Sequence, residues 1–203
     1  PVSLWAMFGS EAPPFDAQVD RVAVLRNFKA LPVGLQAHLG PRLSDRFVAI
    51  GDADAALQVL APVQDQPTPP VAAVLADATL SQALGEDEVA IAAVTEVVRE
   101  DPRATPEAMI RFFDDGVAAD LAFTEADFLN ADALRFELGS GAAAQSLAAA
   151  QVRALTSVDR FGAADALLSE VGADADILAD DMLLAATQRM DDATFLRFVW
   201  DRD

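Results

Sequence analysis

Three observations predict an all-α fold for this chain: helical spacing of its apolar residues, a composition led by Ala and Leu, and regular Gly and Pro punctuation. Of 203 residues, 53% are hydrophobic and 23% charged, a globular balance with enough apolar side chain to bury a core. Ala and Leu lose little side-chain freedom in a helix. No stretch alternates strictly enough to argue for a strand. Leu75, Leu80, Leu84, Ile91, Val94, Val97 and Val98 recur mainly at spacings of three, four and seven, which gathers them on one side of each helix.

The punctuation sets the expected boundaries. Pro13-Pro14, Pro32, Gly40-Pro41, Gly51-Asp52, Pro67 to Pro70, Gly85, Asp101-Pro102, Gly116, Gly139 to Gly141 and Gly172 are each expected to stop or start a helix. Between them lie segments of about 10 to 17 residues, the length of short paired helices. Pro106 to Asp115 pairs with Thr124 to Leu138, and Asp174 to Gln188 with Asp191 to Trp200.

The segments also repeat. Arg46 to Leu57 and Leu80 to Ile91 both carry a helix that ends at Gly with an acid after it, then an Ala five residues beyond the Gly. Four and seven residues past Ala56 come Leu60 and Val63, and past Ala90 come Val94 and Val97. Gly51 and Gly85 are 34 residues apart. A third copy reads Asp159-Arg160-Phe161-Gly162-Ala163-Ala164, followed by Leu168 and Val171. Gly supplies a left-handed cap between two helices, and the small Ala lets them approach closely.

This pattern resembles the tetratricopeptide repeat over residues 37–102 and 145–172. Glu100-Asp101-Pro102 sits where that family closes its repeat, and Phe47 and Phe161 stand at its aromatic positions. The family's bulky aromatic near the start of the first helix is replaced by Gly40, Val74 and Ala148. The resemblance implies a right-handed α-α superhelix, a solenoid of about five helix pairs in one domain over residues 1–203. It also implies that the first helices line a concave face holding a protein or peptide. Carried over by position, His38, Asp45, Thr79, Gln82, Arg153 and Thr156 would contact that partner.

Charge narrows the partner. The formal net charge is -19, from 33 acids against 14 bases. Phosphate binding needs clustered Lys and Arg, so nucleic acid is disfavoured, as is an anionic membrane surface. From Phe47 to Val98 there is no base, while Asp52, Asp54, Asp65, Asp77, Glu86, Asp87, Glu88 and Glu96 all occur. A second base-free stretch, Phe161 to Gln188, carries six acids. Such runs are either a solvated exterior or a docking surface for a basic partner.

Chemistry is harder to find. With no Cys there is no disulfide, thiolate metal site or cysteine nucleophile. His38 is the only histidine, and reads as a surface residue. Gly139-Ser140-Gly141 follows a helical run where a dinucleotide loop follows a strand, so it reads as a helix-to-helix turn. Asp174-Ala175-Asp176 and Asp52-Ala53-Asp54 lack the alternation of a calcium loop and read as helix caps. Trp5, Phe8, Phe15, Phe28, Phe195, Phe198 and Trp200 read as core or capping aromatics.

The expected function is therefore a non-catalytic scaffold or peptide-binding module, needing no cofactor and no metal. The alternative is a domain of an all-helical hydrolase, for example of carbohydrate, using paired carboxylates such as Glu86 and Glu88. No apolar run is long enough to span a membrane. The Ala-, Asp- and Arg-rich, Lys-poor usage suggests a bacterial genome of high GC content, with the cell envelope favoured over the cytoplasm. The chain begins at Pro1 and reads as part of something longer.

Overall fold

The structure is a computed structural model that describes residues 20–66, 68–100 and 105–200. It is all-α. Eleven α-helices follow one another among the described residues: α1 (Arg21–Lys29), α2 (Val33–Ala49), α3 (Ala53–Gln64), α4 (Val71–Ala83), α5 (Asp87–Glu100), α6 (Pro106–Ala118), α7 (Glu125–Leu138), α8 (Ala142–Ser157), α9 (Phe161–Leu167), α10 (Ala175–Arg189) and α11 (Asp192–Trp200). A 3₁₀ turn, Leu168–Glu170, extends α9. Among these residues there is no strand, and no helix is long and apolar enough to cross a membrane.

Four helices end in one and the same way. After α2, Gly51 takes φ 78°; its N–H bonds the Val48 carbonyl at 2.9 Å, and the Asp52 N–H bonds Phe47 at 2.9 Å. After α4, Gly85 takes φ 80°, with Gly85 bonded to Gln82 at 3.0 Å and Glu86 to Ser81 at 2.8 Å. The same two bonds join Asp120 and Leu121 to Val117 and Gly116 after α6, and Asp159 and Arg160 to Thr156 and Leu155 after α8. This is the Schellman cap, which satisfies carbonyls the helix end leaves open. The turn residues 51, 85, 120 and 159 are therefore 34, 35 and 39 positions apart. In the third copy read from sequence, the turn falls on Asp159 at φ 61°, and Gly162 lies inside α9. Among non-glycine residues, Asp is one of the few that tolerate this region.

Two expected breaks are corrected. Gly40-Pro41 lies in the middle of α2, and Gly116 lies inside α6. Both glycines make room and do not end a helix. A Cβ on Gly40 would stand 3.0 Å from the Val59 carbonyl oxygen and 3.1 Å from Val63 Cγ2. One on Gly116 would stand 2.7 Å from the Phe123 ring. Pro13-Pro14 and Asp101-Pro102 lie outside the described residues.

The chain, which reads as a single continuous domain in sequence, divides its contacts between two compact units, Pro1–Val97 and Val98–Asp203. In the first, α2 packs on α3 and α4, and α3 packs on α1 and α4. Phe28, Leu43, Phe47, Ala55, Ala56, Val59 and Leu60 are sealed from solvent in one cluster there. In the second unit α8 is central, packed against α6, α7, α9 and α10. Small residues suit that place: Ala144, Ala148, Ala149, Ala150 and Ala154 are all buried. Beside them Phe112, Phe113, Phe123 and Phe128 cluster with ring centroids 5.4 to 6.0 Å apart. Within each unit the main contacts of a helix run to helices one or two along the chain.

The three repeat alanines, Ala56, Ala90 and Ala164, are fully buried, and Phe47 and Phe161 are core residues. The terminal aromatics divide. Phe28 is buried, and Phe198 packs on Phe161 with centroids 6.3 Å apart. Trp200 is not core: it is 82% exposed, because α11 is short, rests mainly on α10 and buries none of its residues. Trp5, Phe8 and Phe15 lie outside the described residues.

Candidate functional site

Counting back from each left-handed turn residue puts the first helices in register. Six positions before Gly51, Gly85, Asp120 and Asp159 stand Asp45, Thr79, Asp114 and Arg153. Three of these were expected from sequence to face a partner. In the first unit Asp45 and Thr79 occupy equivalent places on the contacting helices α2 and α4. In the second, Arg153 donates to Asp114 from Nε at 2.9 Å and from a terminal nitrogen at 2.7 Å. Asp114, which the sequence pattern does not mark, shares the register by standing six residues before the left-handed Asp120.

The other expected contacts are more varied. His38 is exposed on α2. Gln82 and Thr79 are half-buried on α4, and the Thr79 hydroxyl donates to the Leu75 carbonyl at 3.0 Å. Thr156 has its hydroxyl oxygen buried without a hydrogen-bond partner, while its carbonyl accepts from Arg189 at 3.1 Å.

A pocket of about 300 Å³ opens between α7, α8 and α9 in the second unit. Phe128, Leu155, Ala163, Ala166 and Leu167 form its apolar wall, and two arginines, three acids and Gln151 supply its polar part. Helical spacing explains the lining, since Glu125, Phe128, Asp132 and Arg135 fall on one stripe of α7. Arg135 is only 11% exposed and is held on several sides. It donates to Gln151 Oε1 at 3.2 Å, to Asp132 Oδ1 at 2.8 Å and to Glu170 Oε2. Gln151, itself buried, donates to Asp132 Oδ1 at 2.8 Å. At the rim Arg160 bonds Glu125 at 2.7 Å and lies over the Phe128 ring, 5.1 Å from its centroid. No sequence motif announced this pocket, because its residues come from three helices and unrelated spacings.

The ion pair with the most buried carboxylate lies apart from the pocket. Arg99, at the end of α5, holds both oxygens of Asp127 at 3.1 and 2.8 Å. Asp127 in turn accepts the Thr124 N–H at 2.7 Å, closing a capping box at the start of α7. Burial pushes the Asp127 carboxyl up. The Arg99 hydrogen bonds, the Thr124 N–H and hydroxyl, and the Arg99 charge together outweigh that, so its pKa ends below the usual 3.8. The same hydrogen bonds raise Arg99. This pair reads as a structural latch.

Other expectations fall where ordinary packing puts them. Gly139 takes φ 70° and turns α7 into α8, as expected of a helix-to-helix turn. Asp52 caps α3 through the Ala55 N–H at 3.1 Å. Asp174 stands at the cap of α10 by position, but its side chain makes no capping bond. Glu86, Asp87 and Glu88 are exposed. No group of His, Asp and Glu among the described residues is arranged to hold a metal ion. No family model matches the chain, and no curated protein or solved structure matches it either.

Proposed function

We infer that this chain is a non-catalytic helical-repeat module that binds a protein or peptide, with a basic partner favoured by its charge. Its helix pairs would stack as a right-handed tetratricopeptide-like solenoid, and the first helices would present the binding face. One observation carries the reading. The same Schellman cap recurs four times at 34- to 39-residue spacing, and Asp45, Thr79, Asp114 and Arg153 each stand six residues before its turn residue. A surface built by repetition is what arrays of this kind use for recognition. The hydrolase alternative needs a carboxyl held protonated near neutrality. Asp127 and Asp191 move the other way, held below the ordinary carboxyl range by the hydrogen bonds they accept.

The test is binding of the full chain to an array of short basic, neutral and acidic peptides at two salt concentrations. Basic peptides should be captured at low salt and released as the Debye length shrinks to about 3 Å near 1 M. Reversing Glu86, Asp87 and Glu88 together to Lys should weaken capture without changing the helical circular dichroism, since exposed carboxylates carry little stability. Capture of no peptide class, or turnover of a glycoside abolished by one carboxylate substitution, would overturn the reading.

A further inference from the structure

We propose that the pocket between α7, α8 and α9 is a specificity pocket for a single arginine side chain of the partner, a role that rests on the peptide-binding reading above. The chemistry of the pocket sets the ligand. Asp132, Glu170 and Glu125 each spend one oxygen on the protein's own arginines or on Gln151. Their second oxygens, Asp132 Oδ2, Glu170 Oε1 and Glu125 Oε1, have no hydrogen-bond partner among the described residues. Three carboxylates with spare acceptor capacity line one small space and suit a donor with several N–H groups, and a guanidinium offers five.

Position and charge agree with this. The acids stand outward, with side chains 50%, 58% and 65% exposed for Asp132, Glu170 and Glu125, whereas Arg135 is sunk beneath them. An approaching group therefore meets three carboxylates against one rim arginine, Arg160, a mouth of net negative charge. One wall of the pocket, Ala163 to Glu170, belongs to the base-free stretch Phe161 to Gln188, which adds further negative charge nearby. The volume is at the lower end for a ligand site, enough for one long side chain and too small for a large cofactor. Phe128, Leu155 and Leu167 would cover the aliphatic stem. Outside the pocket, Leu129 and Phe136 stand exposed on α7, each four residues beyond an acidic lining residue, Glu125 and Asp132. They offer apolar contact to residues flanking the inserted arginine.

The probe is acetyl-Leu-Gly-Arg-Gly-Leu-amide, titrated into the full chain and followed by the Gln151 side-chain amide and the backbone amides of α7 and α9 in NMR spectra. Two control peptides carry citrulline or Glu in place of Arg. The arginine peptide should give saturable shifts at those resonances, and citrulline, isosteric but uncharged, should not. Glu125→Gln with Glu170→Gln should weaken binding about tenfold or more, with circular dichroism unchanged because both side chains are exposed. Phe136→Ser should weaken it by a smaller factor. Equal binding of the citrulline peptide, or preference for the Glu peptide through Arg135 and Arg160, overturns the proposal. So does an arginine peptide that shifts only Asp45, Thr79 and Gln82, an outcome that leaves the peptide-binding reading standing. Silence from this probe also overturns the pocket; only silence from the whole array removes both.

Discussion

The two compact units reach one kind of helix packing by different chemistry. In Pro1–Val97 the described helices are held mainly by apolar contact: Gly40 lets α2 meet the backbone of α3, Phe28, Leu43 and Phe47 fill the cluster, and glycine makes both turns, with Arg21 reaching Asp52 at 3.2 Å as an ion pair between elements. In Val98–Asp203, arginines bind one element to another. Arg99 reaches Asp127, Arg153 reaches Asp114, Arg135 reaches Glu170, Arg160 reaches Glu125 and Arg189 reaches Asp159, while aspartate makes the turns after α6 and α8. The difference bears on function. Arg99, Arg135, Arg153, Arg160 and Arg189 of the second unit are paired inside it, whereas the stretch Phe47 to Val98 carries eight acids and no base. A basic partner would thus meet a surplus of acid along that stretch and a shaped, partly neutralised pocket in the second unit.

The largest effect should come from the aromatic cluster. Phe113 is fully buried and stacks on Phe128 with centroids 5.6 Å apart. Phe113→Ala should cost about 3–5 kcal/mol, because the removed ring leaves a cavity its neighbours cannot fill. Hydrogen exchange resolved by segment makes the comparison. Residues 105–200 should lose protection, and residues 21–66 should keep theirs. Equal loss in both would show that the two units unfold as one.

The latch comes next. Asp127→Asn leaves Arg99 without its counter-charge and should cost about 2 kcal/mol at neutral pH, less than a fully buried pair because Arg99 reaches solvent. The sign with pH follows from the lowered carboxyl. A group with a depressed folded pKa stabilises above its unfolded value and loses that contribution as pH falls through the folded one. The gap between the original protein and Asp127→Asn in urea midpoints should therefore be constant near neutrality and close as pH drops below 3.8. A gap that persists at lower pH would mean that the carboxamide itself, and not the lost charge, does the damage.

In the first unit, the matching test is Gly40→Ala. The added Cβ would press on a backbone carbonyl at 3.0 Å, which cannot swing aside as a side-chain tip can, so about 1–2 kcal/mol is expected. Unlike the loss at Asp127, this one should be insensitive to pH and salt. A midpoint shift that varies with either would contradict the division between an apolar and an ionic unit.

Fold class and most helix boundaries were legible because they depend on local signals. The 3.6-residue period, Pro at the starts of α2, α4 and α6, and Thr124 before α7 act within a few residues of where they stand. Gly40 and Gly116 misled because the same residue type serves a turn and a close approach, and only the partner, α3 or Phe123, decides which. The register of Asp45, Thr79 and Arg153 could be read from repetition. Asp114 was not legible, because its turn falls on Asp120 with no Gly-acid pair beside it, whereas the copy that holds Arg153 keeps Phe161-Gly162-Ala163-Ala164. The pocket could not be read at all. Arg135, Gln151 and Glu170 have no mutual spacing rule, and their meeting is a product of tertiary packing.

The smallest effect concerns those turns, and it sharpens the comparison most finely. Gly85 stands at φ 80° with nothing within 4 Å of an added Cβ, so Gly85→Ala isolates the backbone cost. About 1 kcal/mol is expected from the left-handed strain, partly offset by a less flexible unfolded chain. Asp120, at φ 52° and exposed, carries that strain already. Asp120→Gly should relieve it, against a gain in unfolded-state entropy of about 0.4–1 kcal/mol, leaving a net stabilisation of a few tenths. Asp159 differs, since its carboxylate accepts from Arg189 at 3.0 Å. Asp159→Gly should therefore be neutral or slightly destabilising where Asp120→Gly is slightly stabilising, an ordering that parallel denaturant melts can resolve. The reverse order would mean that the Arg189 bond adds nothing, and that aspartate is kept at both turns for the geometry of the backbone alone.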